Sequence, residues 1–174
     1  MASELEYLGT FSATSTQNLN ITDIFTDKYT EYFWHISDMD HTGNGVLNAR
    51  FINSGGATLT SNYMFADETF QSWTTFIQNR TTSGTTFRVG TVGGDGSESL
   101  GGYFGFVYNP FDSSKNTYFI NQSVSDYDFG GSGTRVIGNK CVGVHNVPTS
   151  ITGINFTPNI GTMEKITVSM YGVN

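Results

Sequence analysis

The chain has 174 residues, of which 13% are charged, well below the roughly 25% usual in soluble proteins. Its net charge is −7 and its eight Lys and Arg are scattered singly, with no basic stripe to neutralise phosphates, which argues against nucleic acid and anionic membranes as partners. Aromatics make up 14% beside 21 Gly, a mixture that fits pleated faces and tight turns rather than helix surfaces, so the chain reads as all-β.

In chain order, the opening "MASELEYLGT" lacks a basic segment followed by a long apolar core and does not read as a secretory signal. Ser3 and Glu6 have capping-box spacing and place a short helix over 3–8. Ile21, Ile24 and Phe25 have helical spacing and place a second within 19–32. Residues 1–27 alternate less clearly than the rest and form a candidate N-terminal attachment arm. From Glu31 the pattern changes. Tyr32, Trp34 and Ile36 alternate with Glu31, Phe33 and His35; Leu47, Ala49 and Phe51 alternate with Asn48, Arg50 and Ile52. Further strands are expected over 63–66, 73–77, 87–92, 103–108, 117–124, 135–144, 151–156 and 166–171. Turn clusters such as "NSGGATLTSN", "RTTSGTT", "GGDGSESLGG", "NPFDSSKN" and "FGGSGT" separate them. Period-two alternation with such breaks is the pattern of antiparallel strands. About ten strands predict one domain over 1–174, an antiparallel two-sheet sandwich, jelly-roll-like, with at most one or two short helices. No apolar run approaches the roughly 20 residues that span a bilayer.

The stretch "ISDMDHTGNGVL" invites three readings. Asp38-x-Asp40-x-Thr42 has the spacing of a phosphatase nucleophile and its partner acid. Nothing after it, however, supplies the crossover helices of the parallel sheet that such chemistry needs. The same residues match the first half of a calcium loop, but Thr42 and Ala49 stand where a third oxygen ligand and a bidentate Glu belong. A looser calcium site on Asp38 and Asp40 stays open. The reading accepted is a hairpin loop, with Asp and Asn holding the turn and Gly43 and Gly45 at positive φ.

His35, His41 and His145 are isolated, no Gly-x-Ser-x-Gly elbow exists, and "GGDGSESLGG" lacks the Lys and following helix of a phosphate cradle. That glycine-rich stretch reads as a mobile loop. Cys141 is the single cysteine and reads as a buried, inert thiol. No catalytic group, cofactor or metal ligand set is expected, and the chain reads as no enzyme. Trp34 and Trp73 could stack on a sugar ring, although each single aromatic is more often core.

The segment "SITGINFTPNIGTMEKITVSMYGVN" resembles the closing strands of a broad group of tailed-bacteriophage virion proteins. These carry an Ile-Thr-x-Ile strand, here Ile151, Thr152 and Ile154, then a Gly turn, here Gly161, and a last strand closing in Tyr-Gly, here Tyr171-Gly172. "DIFTDKYTEYFWHISDM", with Tyr29 and Tyr32, "VLNARFINSGGATLTSNYMF" and "GFVYNPFDSSKNTYF", with Asn109-Pro110, are similar to earlier strands of the group. The resemblance covers nearly the whole chain in order, through short motifs. It departs from the group at "TPNIGTMEK", where many relatives carry a Phe and a longer Ser/Gly turn.

Members are small jelly-roll-like structural proteins, so the resemblance implies a non-enzymatic virion component made in the bacterial host cytoplasm and carried on the outer surface of the particle. A capsid decoration or knob protein is the leading form. Its expected partners are the phage major capsid protein or other virion proteins and further copies of itself, a trimer among the homo-oligomers considered. The rival reading is a receptor- or carbohydrate-binding module of a tail fibre or tailspike, with a host glycan as ligand. No catalytic residues carry over.

Overall fold

The computed structural model describes residues 4–93, 101–128 and 134–174. Twelve strands and no helix occur among them. They are β1 (Leu5–Thr16), β2 (Leu19–Ile21), β3 (Glu31–His41), β4 (Gly45–Asn53), β5 (Tyr63–Gln71), β6 (Ile77–Gly84), β7 (Phe87–Val92), β8 (Gly102–Tyr108), β9 (Thr117–Asp128), β10 (Thr134–His145), β11 (Ile151–Pro158) and β12 (Met163–Val173). An eight-stranded antiparallel sheet, in the order β1-β12-β3-β8-β9-β10-β5-β6, packs on a four-stranded one, β2-β11-β4-β7. From β2 to β5 each strand crosses to the other sheet, the wrapping that makes the sandwich jelly-roll-like.

The alternation from Glu31 onward does what it predicts. Tyr32, Trp34 and Ile36 of β3 are wholly buried between the sheets with Leu47, Ala49 and Phe51 of β4 and Phe156 of β11. Trp34 stacks on Phe119 with ring centroids 5.7 Å apart and takes Phe156 edge-on at 5.5 Å. Aromatic pairs in such geometry add roughly 0.5–1.5 kcal/mol beyond their buried area.

Both expected helices are absent. Residues 5–16 form β1, paired with β12 at the sheet edge. A bulge between Tyr7 and Gly9 switches the face on which its apolar residues lie: Tyr7 points outward, while Leu8, Phe11 and Ala13 pack against the core. That switch hides a strand from a period-two search. Residues 19–32 divide between β2, a loop and the start of β3. Within the loop the Ile24 and Phe25 amides both donate to the Thr152 carbonyl (2.9 and 3.1 Å), and Asp23 takes a positive φ of 56°. The helical spacing of Ile21, Ile24 and Phe25 reflects two anchoring points on β11, not one helix face. The strand expected over 73–77 also shifts: Trp73 lies in the turn before β6, which is itself a polar edge strand and needs no apolar face.

The turn after Asp40 is polar, as read, but it is not a hairpin. Residues 42–44 carry the chain from β3 in the large sheet to β4 in the small one. Neither Gly43 nor Gly45 has a positive φ. The buried His41 ring organises the crossing instead, its two nitrogens against the Gly43 and Ile160 carbonyls, the latter at 2.8 Å. Gly161 takes φ 71° above this ring, where a Cβ would sit 2.8 Å from His41.

Side chains of the large sheet close the free edge of β7. Asn139 accepts from the Thr91 amide (2.8 Å), Asn121 donates to the Val89 carbonyl, and Tyr103 and Ser125 both donate to the Thr91 carbonyl (3.0 and 2.7 Å). They satisfy backbone groups that a missing neighbour strand would otherwise leave bare. Because four strands face eight, β6 extends beyond β7 as an overhang, while the inner face of β5 is still covered. The central part of the glycine-rich stretch read as a mobile loop, residues 94–100, lies outside the described residues, as do residues 129–133 of "FGGSGT".

Candidate functional site

The residues singled out for chemistry are spread apart. Asp38 meets the Lys165 ammonium on the surface of the large sheet, an exposed pair of the kind worth about 0–1 kcal/mol. Asp40 accepts the His41 amide at 2.8 Å. No group of three or more metal-ligating side chains comes together among the described residues. Burial pushes the Cys141 thiol up to about 12, with the nearby Asp67 charge adding to the effect, so it stays protonated and unreactive at neutral pH. Burial likewise raises Tyr63 to about 12; its hydroxyl accepts the Phe51 amide (2.8 Å) and donates to the Leu59 carbonyl (3.2 Å), and so acts as a structural tie.

The two tryptophans separate completely. Trp34 is wholly enclosed, so its ring meets no ligand, a correction to its candidacy as a stacking residue. Trp73 is half-buried at the rim of a cleft between the sheets, with the Arg135 guanidinium 5.4 Å from its ring centroid.

The distinctive surface is the outer face of the large sheet, which the small sheet does not cover. Strand register sets Tyr7, Tyr171, Phe33, Phe106, Ile120, Val142, Ala66 and Arg80 in one row across all eight strands. At about 4.8 Å per strand the row is about 34 Å long. Leu5, Val173, Glu31, Tyr108, Tyr118, Val144 and Met64 form the row on one side. Ser169, His35, Phe104, Gln122, Lys140, Glu68 and Gln78 form the row on the other. The rings touch in series: Tyr7 to Tyr171 (5.7 Å), Tyr171 to Phe33 (5.7 Å), Phe33 to Phe106 (5.2 Å) and Phe106 to Tyr108 (6.1 Å). Phe104, Tyr118 and Val142 remain 41%, 48% and 45% exposed.

Glu31 and Glu68 are offset by Arg80 and Lys140, so these three rows are neutral on a chain that carries −7. Toward β6 the face becomes a groove of about 1070 Å³, with Met64, Tyr118 and Val142 on its floor and Arg80 to Ser83 as its wall. Sequence reading missed this surface because it took one apolar face per strand. "YFWHI" and "GYFGFVY" carry aromatics on both. Compared with family models, curated proteins and solved structures, the chain has no match.

Proposed function

We propose that the chain is a non-enzymatic structural protein on the outside of a tailed-phage particle, a capsid decoration or knob protein that docks through the outer face of its eight-stranded sheet. The observation that carries this reading is the unbroken apolar row from Tyr7 to Ala66, neutral and uncovered. Monomeric proteins rarely leave contiguous apolar patches larger than a few hundred Å² in water, and faces of this kind are usually buried by a partner. Neutrality matters as well. Copies carrying −7 each approach most easily where the surface between them adds no charge. The partners of this face are the shell protein and further copies of the chain. The sequence resemblance to virion proteins supports the same assignment on separate grounds.

Immunogold electron microscopy on particles grown from a genome that encodes the chain tests the location. Label spread over the head is the expected result. Label confined to the tail would move the chain to a receptor-binding role, and particles without label would end the virion reading.

A further inference from the structure

The overhang of β6 beyond β7 leaves a cleft of about 370 Å³ between the two sheets, away from the outer face. Its lining includes Gln71, Trp73, Asn79, Arg88, Thr91 and Asn159. The volume falls in the range of small-molecule sites, roughly 300–1,000 Å³, near its lower end. Unlike the outer groove, this cleft is lined by hydrogen-bonding groups whose orientation the fold has already set.

Asn159 Oδ1 accepts the Val46 amide at 2.7 Å, which leaves its Nδ2 to donate. Asn79 Nδ2 donates to Asp67 Oδ1 at 3.0 Å, which leaves its carbonyl oxygen to accept. Arg88 is the decisive group. Its Nε is sealed from solvent without a hydrogen-bond partner, so the terminal guanidinium nitrogens are what it offers the cleft, and of these Nη2 reaches Thr91 Oγ1 only at 3.4 Å. Among the described residues no carboxylate lies within salt-bridge distance of it. A partly buried guanidinium with no carboxylate in contact is costly, and its planar fork matches a carboxylate. Trp73 adds an aromatic wall at the rim.

We propose that this cleft binds an acidic sugar, a hydroxylated ring that bears a carboxylate. Arg88 takes the carboxylate, while Asn159 donates to ring hydroxyls and Asn79 accepts from them. The proposal is independent of the docking surface, which uses other residues, so either can fail alone.

The test is titration of the full chain with sodium glucuronate, glucose and sodium acetate, followed by ¹H–¹⁵N correlation spectra. Glucuronate is expected to give saturable shifts in the Trp73 indole and the Asn159 and Asn79 side-chain amides, with glucose and acetate each binding at least about ten-fold more weakly, the worth of one charge-assisted contact. Arg88→Gln is expected to weaken glucuronate by a similar factor. Asn159→Ala, at the rim, provides a second variant should Arg88→Gln not fold, and is expected to weaken it several-fold. Equal response to glucose and glucuronate would overturn the role of Arg88. Equal response to acetate would overturn the sugar, and no saturable shift would overturn the site.

Discussion

Trp34→Ala is expected to lower the unfolding free energy by about 3–5 kcal/mol, the range for removing a buried Trp or Phe from a packed core. For a domain of ordinary stability, about 5–15 kcal/mol, that is a large share of the total. The indole lies wholly buried between Phe119 and Phe156, and its Nε1 has no hydrogen-bond partner, so its contribution is packing. The backbone is shaped around it: a Cβ at Gly105 would come 2.6 Å from the ring. Because the indole is sandwiched between rings of both sheets, the space left behind cannot close by moving one of them. Urea unfolding of the two proteins measures the difference. A loss below about 1 kcal/mol would mean that the two sheets are not held together at this point.

Truncation at the N-terminus should give two different results. Removing residues 1–16 strips β1 from the edge of the large sheet and uncovers β12, with Leu8, Phe11 and Ala13 only partly buried to begin with. That chain should still unfold cooperatively, at a lower urea midpoint. Removing residues 1–27 also takes Leu19, Ile21 and Phe25, all buried between the sheets, together with the pairing of β2 on β11. At about 1.5–3 kcal/mol for each such side chain, the loss matches the stability of a whole domain. The longer truncation should therefore show no cooperative transition by near-UV circular dichroism. A folded 28–174 chain with an unchanged midpoint would show instead that the entire segment is a dispensable arm.

These results bear on the attachment arm expected over residues 1–27. Only β1 has the character of an arm, being a long edge strand with exposed Leu5 and Tyr7. Leu19, Ile21 and Phe25 belong to the core. Sequence could not separate them, because the bulge in β1 and the paired anchors of Ile24 and Phe25 are set by β12 and β11, which lie more than a hundred residues away. Where one strand face is buried and the other wet, as in Gly45–Asn53, the alternation was readable directly. Where both faces are apolar, as at Phe33 beside Trp34, the same pattern shows a strand but does not tell core from surface. The turn at 42–44 was legible as polar, but its crossing between sheets rests on His41 reaching Ile160. Arg88 offered no signal in sequence at all. That no carboxylate among the described residues comes within salt-bridge distance of it is a property of the assembled cleft.

The most direct test of the docking face is co-sedimentation with particles that lack the chain. The protein is compared with a variant carrying Phe104→Ser, Tyr118→Ser and Val142→Ser, three residues exposed on the outer face. The unaltered chain should pellet with the particles. The variant should bind at least about ten-fold less, since a few central apolar residues carry most of an interface's free energy, while its urea midpoint stays close to that of the unaltered chain. Equal pelleting of the two proteins would contradict the assignment of this face as the surface of assembly.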